Sequence, residues 1–420
     1  MPSTELARII DAIWRIESAR IVAVVARIVR DVGLAEELAQ DALVAALEHW
    51  PVEGLPDNPA AWLMTTAKNK ALDRIRQAAL HRRRQEELGA DLDALGEHVA
   101  PDVSDVVDEH IDDDLLRLMF TACHPVLAQE AQVALTLKLL AGLSTAEIAR
   151  AFVQGEATVA QRIVRAKRTL SNAQVPFEVP RGEEMQERLA AVLQVIYLIF
   201  NEGYCATAGD DWMRPALCEE AMRLVRMLGA LAPRQREVHG LTALLELQAS
   251  RLRARTDPAG RPILLLEQDR ARWDWVLVSH GFNALARAQM LPGEPGPYEL
   301  QAAIAACHAS ARRADATDWN AIVRIYDALA RVQPSPVVLL NRAVAIGMAQ
   351  GAGAALVLVD AIAAEGFLND YHLLPAVRGD LLGKLGRRAE ARAEFERAAA
   401  LATNQRERTL LLERARATLD

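Results

Sequence analysis

The chain has 420 residues, of which 51% are apolar and 25% charged. That balance excludes a disordered protein and leaves room for two to four domains at roughly 100–200 residues each. Aromatics make up only 5%, against abundant Ala, Leu and Arg, so the composition predicts helix throughout. No apolar run approaches the ~18 residues of a membrane span. Glu5 and the lack of a small-residue cleavage site argue against a signal peptide. Cys123, Cys205, Cys218 and Cys307 are scattered without a C-x-x-C pair, which favours a reducing, cytoplasmic location over a zinc ribbon.

The net charge of −8 hides strong patterning. Residues 62–84 carry Lys68, Lys70, Arg74, Arg76, Arg82, Arg83 and Arg84 against the lone Asp73. Residues 86–114 reverse this, with twelve acids and no Lys or Arg, and 162–168 are basic again.

In chain order, residues 1–85 read as a first helical unit of three or four helices. Ile21, Val24, Val25, Ile28 and Val29 form one apolar stripe, and Leu38, Ala42, Ala45 and Ala46 another. Pro51, Gly54, Pro56 and Pro59 punctuate a loop, and a further helix begins near Pro59–Trp62. Residues 86–111 are an acidic linker. Residues 112–175 form a second compact helical unit, 182–292 a helical middle region, and Pro292–Pro297 a hinge. Residues 297–420 repeat: Trp319, Gly353 and Arg387 stand 34 residues apart, each opening a helical pair, with Ala321, Ala355 and Ala389 at matching places. That period resembles tetratricopeptide (TPR) repeats.

Two helices carry chemistry. On the first, Trp62, Thr66, Asn69, Asp73 and Arg76 fall on one stripe, with Met64, Ala67, Ala71 and Ile75 expected to be buried opposite. A ring, a hydroxyl, an amide and an arginine in line suit unpaired bases, although a solvated face has the same composition. The second lies in 143–170. Ser144 and Glu147 form an S-x-x-E capping box, a short turn spans Val153–Gly155, and a new helix starts near Glu156. Val159, Ile163, Ala166 and Leu170 face inward, leaving Thr158, Gln161, Arg162, Arg165, Arg168 and Thr169 outward. This is a helix-turn-helix pattern whose second helix suits the major groove.

Together these segments resemble the bacterial sigma-70 family. Asp31-Val-Gly-Leu-Ala-Glu-Glu-Leu-Ala-Gln-Asp41 followed by Trp50 is similar to region 2 at the helix that grips the polymerase clamp. Residues 61–76 resemble the −10 element helix, and 143–170 resemble region 4, which reads the −35 element. With only a linker between them, the pattern is that of the extracytoplasmic-function (ECF) group. The resemblance implies −10 contacts from Trp62, Thr66, Lys68, Asn69, Lys70, Asp73 and Arg76. It implies −35 contacts from Thr158, Gln161, Arg162, Arg165 and Arg168, and core RNA polymerase contacts from Asp31, Glu36, Glu37 and Asp41. The acidic linker would thread toward the polymerase cleft. Promoter DNA and core polymerase are thus the implied partners, with an intramolecular contact between the C-terminal extension and the sigma modules. Val153 stands where many family members have Gly, so the turn is expected to be built differently here.

The Asn201-Glu202-Gly203-Tyr204 segment reads either as a helix end with Gly203 left-handed, or as a polar site shared with Glu267, Asp269, Arg270 and Trp273. His280 and His308 lack partners at metal-ligand spacing, so no metal is assigned. No phosphate loop, dinucleotide fingerprint or nucleophile–base motif occurs, so neither enzyme activity nor a cofactor is expected. The competing reading is a ligand-responsive helix-turn-helix regulator with a TPR-like sensor. The region-2-like helices discriminate, because an operator binder needs neither a clamp helix nor a strand-opening one.

Overall fold

A computed structural model describes residues 3–89, 111–206 and 211–418, with side chains from 8 to 81 and from 112 onward, and that of Leu6. The described residues form eighteen α-helices and no strand, an all-α fold. They divide into two compact units, Met1–Val195 and Ile196–Asp420. No helix among them is long and apolar enough to cross a membrane. The acidic linker lies outside the described residues except for its first four, which extend the helix Pro59–Gly89, and its last, Ile111, which opens a further helix.

The first unit begins with α1 (Ser3–Val29), α2 (Val32–Glu53) and α3 (Pro59–Gly89). Of the expected stripe, Ile21, Val24 and Val25 are buried between them, and Ile28 and Val29 are half-buried. Asp31 caps α2 by accepting from the Leu34 N–H at 2.8 Å. On α3 the buried line is Leu63, Ala67 and Ala71. Met64 is only half-buried and Ile75 is exposed, a correction of one position around the helix that turns the inward stripe toward Leu63. Then follow α4 (Ile111–Ala122), α5 (Gln129–Leu139), α6 (Thr145–Ala151) and α7 (Glu156–Asn172), with α8 (Gly182–Tyr204) crossing the division. Asp114, fully buried, holds α4 to α1 through Arg27 at 2.9 Å and pairs with Arg117 at 2.6 Å.

In the second unit, α9 (Pro215–Leu231), α11 (Trp275–Met290) and α12 (Pro297–Ser310) surround α10 (Arg236–Ala249), which is buried along most of its length. The Pro/Gly-rich segment before α12 is not a free hinge. Arg236 donates to Leu291 O at 2.9 Å and forks onto Glu299, while Glu237 accepts from the Tyr298 and Glu299 N–H groups at 2.9 and 3.1 Å. A Cβ on Gly296 would come within 2.3 Å of Glu237 Cδ, so glycine here permits a clamp rather than freedom. Gly203 is also not left-handed. It remains helical in α8, where a Cβ would stand 2.7 Å from Cys218 N at the start of α9.

Three helical hairpins complete the unit: α13 (Trp319–Val332) with α14 (Pro336–Gln350), α15 (Ala352–Glu365) with α16 (Leu373–Lys384), and α17 (Arg388–Leu401) with α18 (Gln405–Ala417). The even 34-residue register does not hold. Ala355, Val359 and Ile362 are buried, but their structural counterparts are Ala391, Phe395 and Ala398, whereas Ala389 is exposed. The long 366–372 connection displaces the third copy by two residues.

Candidate nucleic-acid interface

The helix-turn-helix is assembled by local capping. Ser144 N donates to Glu147 Oε2 at 2.8 Å, and Glu147 N donates to Ser144 Oγ at 3.2 Å, closing the capping box at the start of α6. Glu147 also receives Arg15 of α1 at 2.6 Å. Burial alone would raise the Glu147 pKa, but the Ser144 hydrogen bonds and Arg15 outweigh it and hold the carboxyl below its ordinary value.

The turn after α6 corrects the expectation for Val153, which adopts the left-handed conformation itself, with φ +52°. Gln154 N bonds to Ala149 O at 2.9 Å and Val153 N to Arg150 O at 3.3 Å, the Schellman pattern that glycine usually serves. The backbone geometry is the usual one, at a cost of about 1–2 kcal/mol for the β-carbon.

On α7, Val159, Ile163, Ala166 and Leu170 are buried. Thr158, Gln161, Arg165 and Arg168 are exposed, and Arg162 lies half-buried, its guanidinium donating to Gln154 Oε1 at 2.7 Å. Among the described residues Arg165 and Arg168 meet no carboxylate within ion-pair distance.

On α3, Asn69, Asp73 and Arg76 are exposed, the last two linked at 3.3 Å. Thr66, Lys68 and Lys70 are half-buried. Trp62 is not an open platform. Its ring meets Trp50 edge-on at 5.4 Å and His49 at 6.4 Å, which ties the start of α3 to the end of α2.

The acids of α2 separate into three environments. Asp31 is the N-cap. Glu36 is 5% exposed, held by Lys138 at 3.5 Å and in closer contact with Lys167 of α7. Glu37 and Asp41 are exposed, in line with Val44 and Glu48. Val44 was missed as a candidate; its signal is an apolar residue outside the Leu38–Ala42–Ala46 stripe.

The sigma-70 region 2 model matches residues 14–81, and the sigma-70 region 4 model matches 117–170. A family of unknown function (DUF6596) matches 188–289. An uncharacterized protein of Rhizobium meliloti is 45% identical over 91% of this chain and 89% of its own length. A probable ECF RNA polymerase sigma factor, SigI of Mycobacterium tuberculosis, is 28% identical over 40% of this chain, which spans 57% of that protein. The ECF RNA polymerase sigma factor SigK of Mycobacterium ulcerans is 29% identical over 36% of this chain and 79% of its own length. No solved structure matches the chain.

Proposed function

The chain belongs to the sigma-70 family, in its extracytoplasmic-function group with a C-terminal extension, and we propose that it directs core RNA polymerase to promoters by a division of labour between α7 and α3. Promoter recognition is the role of such a factor, and the division assigns its parts. The observation that carries it is the outward face of α7, where Gln161, Arg165 and Arg168 stand exposed over a buried apolar stripe. Forked donors there match guanine edges and phosphates of a −35 element in the major groove. Asn69 and Arg76 on α3 suit the −10 element, with the Asn69 amide reading a base edge once the strands part. Glu37, Asp41 and Val44 form the core-polymerase contact, an acidic and apolar stripe for a basic helical partner. The factor needs no catalytic group or cofactor of its own and works in the cytoplasm, where its template is.

Elements named for positions −35 and −10 lie roughly 85 Å apart along B-DNA at about 3.4 Å per base pair. The Glu36–Lys167 and Arg15–Glu147 pairs join α1 and α2 to α6 and α7, so these pairs must part before both elements are read at once. The C-terminal extension acts as a supporting module in contact with the sigma modules or the polymerase. Its removal after Thr317, beyond the helix that packs on α10, is expected to lower promoter-specific transcription while circular dichroism shows a folded chain.

Permanganate footprinting of the reconstituted holoenzyme tests the −10 assignment. Asn69→Ala is expected to leave closed-complex binding near wild type and to reduce thymine reactivity in the bubble. Reactivity equal to wild type removes Asn69 from the reading.

A further inference from the structure

The segment Asn201–Tyr204 and the residues Arg270 and Trp273 remain unused by promoter recognition. The structure brings Tyr204, Arg270 and Trp273 together, leaves Glu267 and Asp269 exposed outside, and adds two arginines without a sequence signal. Arg255 lies over the Tyr204 ring at 3.5 Å and the Trp212 ring at 4.3 Å. Arg251, 7% exposed, sits 5.9 Å from the Tyr204 ring and 5.8 Å from that of Trp273. Arg270 is 5.1 Å from the Trp273 ring.

Three buried guanidinium groups thus share one neighbourhood. Among the described residues none of them pairs with a carboxylate; elsewhere in the unit Glu202, Glu246 and Glu299 pair with Arg214, Arg226 and Arg236 instead. Arg255 donates to Tyr204 O, and Arg270 donates to His308 O at 2.6 Å, to Ala311 O and to Thr317 Oγ1 at 3.3 Å. Among the described residues Arg251 has no such acceptor, and its Nε is buried without a hydrogen-bond partner. Trp273 Nε1, His308 Nδ1 and Arg270 Nε are orphaned in the same way. All four of these are nitrogens, three of them obligate donors, and two amide oxygens on the same segments, Gln248 Oε1 and Gln268 Oε1, are also buried without a partner.

A buried charge is costly unless it is paired. The flanking rings attract Arg251, and the C-terminus of α10 just before it adds a partial negative charge, but neither amounts to a counter-ion. A guanidinium fork with unsatisfied N–H donors beside it, walled by Tyr204 and Trp273, is chemistry that binds an oxyanion. We propose that Arg251, with Trp273 Nε1 beside it, binds the carboxylate or phosphate group of a small molecule within the second unit. Burial pulls the Arg251 pKa below its ordinary value, and Arg255 adds to this, as expected of a cation lacking its counter-charge.

The test uses the full chain at pH 7 and constant ionic strength, in potassium chloride alone or with inorganic phosphate or benzoate. Calorimetric titration is expected to show saturable binding of at least one of the two anions. Stronger benzoate binding assigns a carboxylate ligand, and stronger phosphate binding a phosphorylated one. Arg251→Met is expected to weaken that binding about tenfold or more, yet to melt no lower than wild type in chloride, because an apolar side chain replaces an unpaired buried charge. Trp273→Phe keeps the ring, removes the donor, and is expected to weaken binding several-fold with the fold intact. Absence of binding to both anions, binding unchanged in Arg251→Met, or a lower melting temperature of that variant in chloride would each overturn the proposal.

Discussion

The two units treat arginine in opposite ways. On α7 of the first, Arg165 and Arg168 stand in solvent with no acid beside them among the described residues. In the second, Arg251, Arg255 and Arg270 are buried against rings and backbone carbonyls. An unpaired guanidinium in water costs little to keep and suits a large polyanion that arrives with its own field. An unpaired guanidinium under aromatic rings is costly, and suits a small anion held at one point. Side-chain identity is the same in both places; burial separates the two uses.

The exposed side of this contrast carries the largest expected effects. Arg165→Ala is expected to cost about 1–3 kcal/mol of promoter binding if its fork meets a base, measured by filter binding on promoters varied through the −35 element. Loss confined to one base position marks base readout, whereas uniform loss marks a phosphate contact. Arg162→Ala is expected to cost less, because its guanidinium is already engaged by Gln154.

The acids of α2 sharpen the same contrast. Asp41→Arg places a cation on the exposed acidic stripe and is expected to weaken core polymerase binding about tenfold, or about 1.4 kcal/mol. Glu36→Gln removes the buried partner of Lys138 and Lys167 and is expected to leave core binding undiminished, since Glu36 reaches the surface only when the modules part. Co-purification with core enzyme checks both, and equal losses would erase the distinction.

Buried charge in the second unit predicts a pH response. Burial, with Arg251 and Arg270 nearby, pushes the His308 pKa down to about 4 from an ordinary 6.5. The unfolded chain then binds more protons than the folded one between those values, so stability rises with pH through the window and is complete above it. Lowering the pH from 7 to 5 is expected to destabilise the second unit by roughly 1–2 kcal/mol through this residue, and His308→Gln should flatten the dependence. Glu147 runs the other way in origin. Its depressed pKa contributes stability above the ordinary value of 4.5 that is lost as pH falls further. The smallest effect belongs to the turn: Val153→Gly is expected to raise thermal stability by up to about 1 kcal/mol by removing the left-handed β-carbon, offset in part by unfolded-chain entropy.

What was legible in the sequence was whatever a helix repeats or closes within a few residues. The buried stripe from Val159 to Leu170 follows from the 3.6-residue period, and the Ser144–Glu147 box closes over three residues. Contacts between distant residues left no such trace. Glu36 meets Lys167 across 131 residues, so an acid that resembles a partner contact is locked inside the chain. Arg251 and Arg255 look like any helix-end basic pair until Tyr204 and Trp273 arrive from other segments. The first turn of α3 showed the Trp62 ring on the outward stripe, but not that Trp50 would claim its edge. The third hairpin slipped register because an irregular connection carries no period to count.

The most direct test of the account is multi-round transcription in vitro with purified core RNA polymerase and genomic DNA, comparing the full chain with the Arg165→Ala/Arg168→Ala double variant. The account predicts new start sites that require the wild-type chain and are lost with the variant at unchanged core binding. No new start sites with the wild-type chain bound to core enzyme, or the same sites at the same strength with the variant, would contradict it.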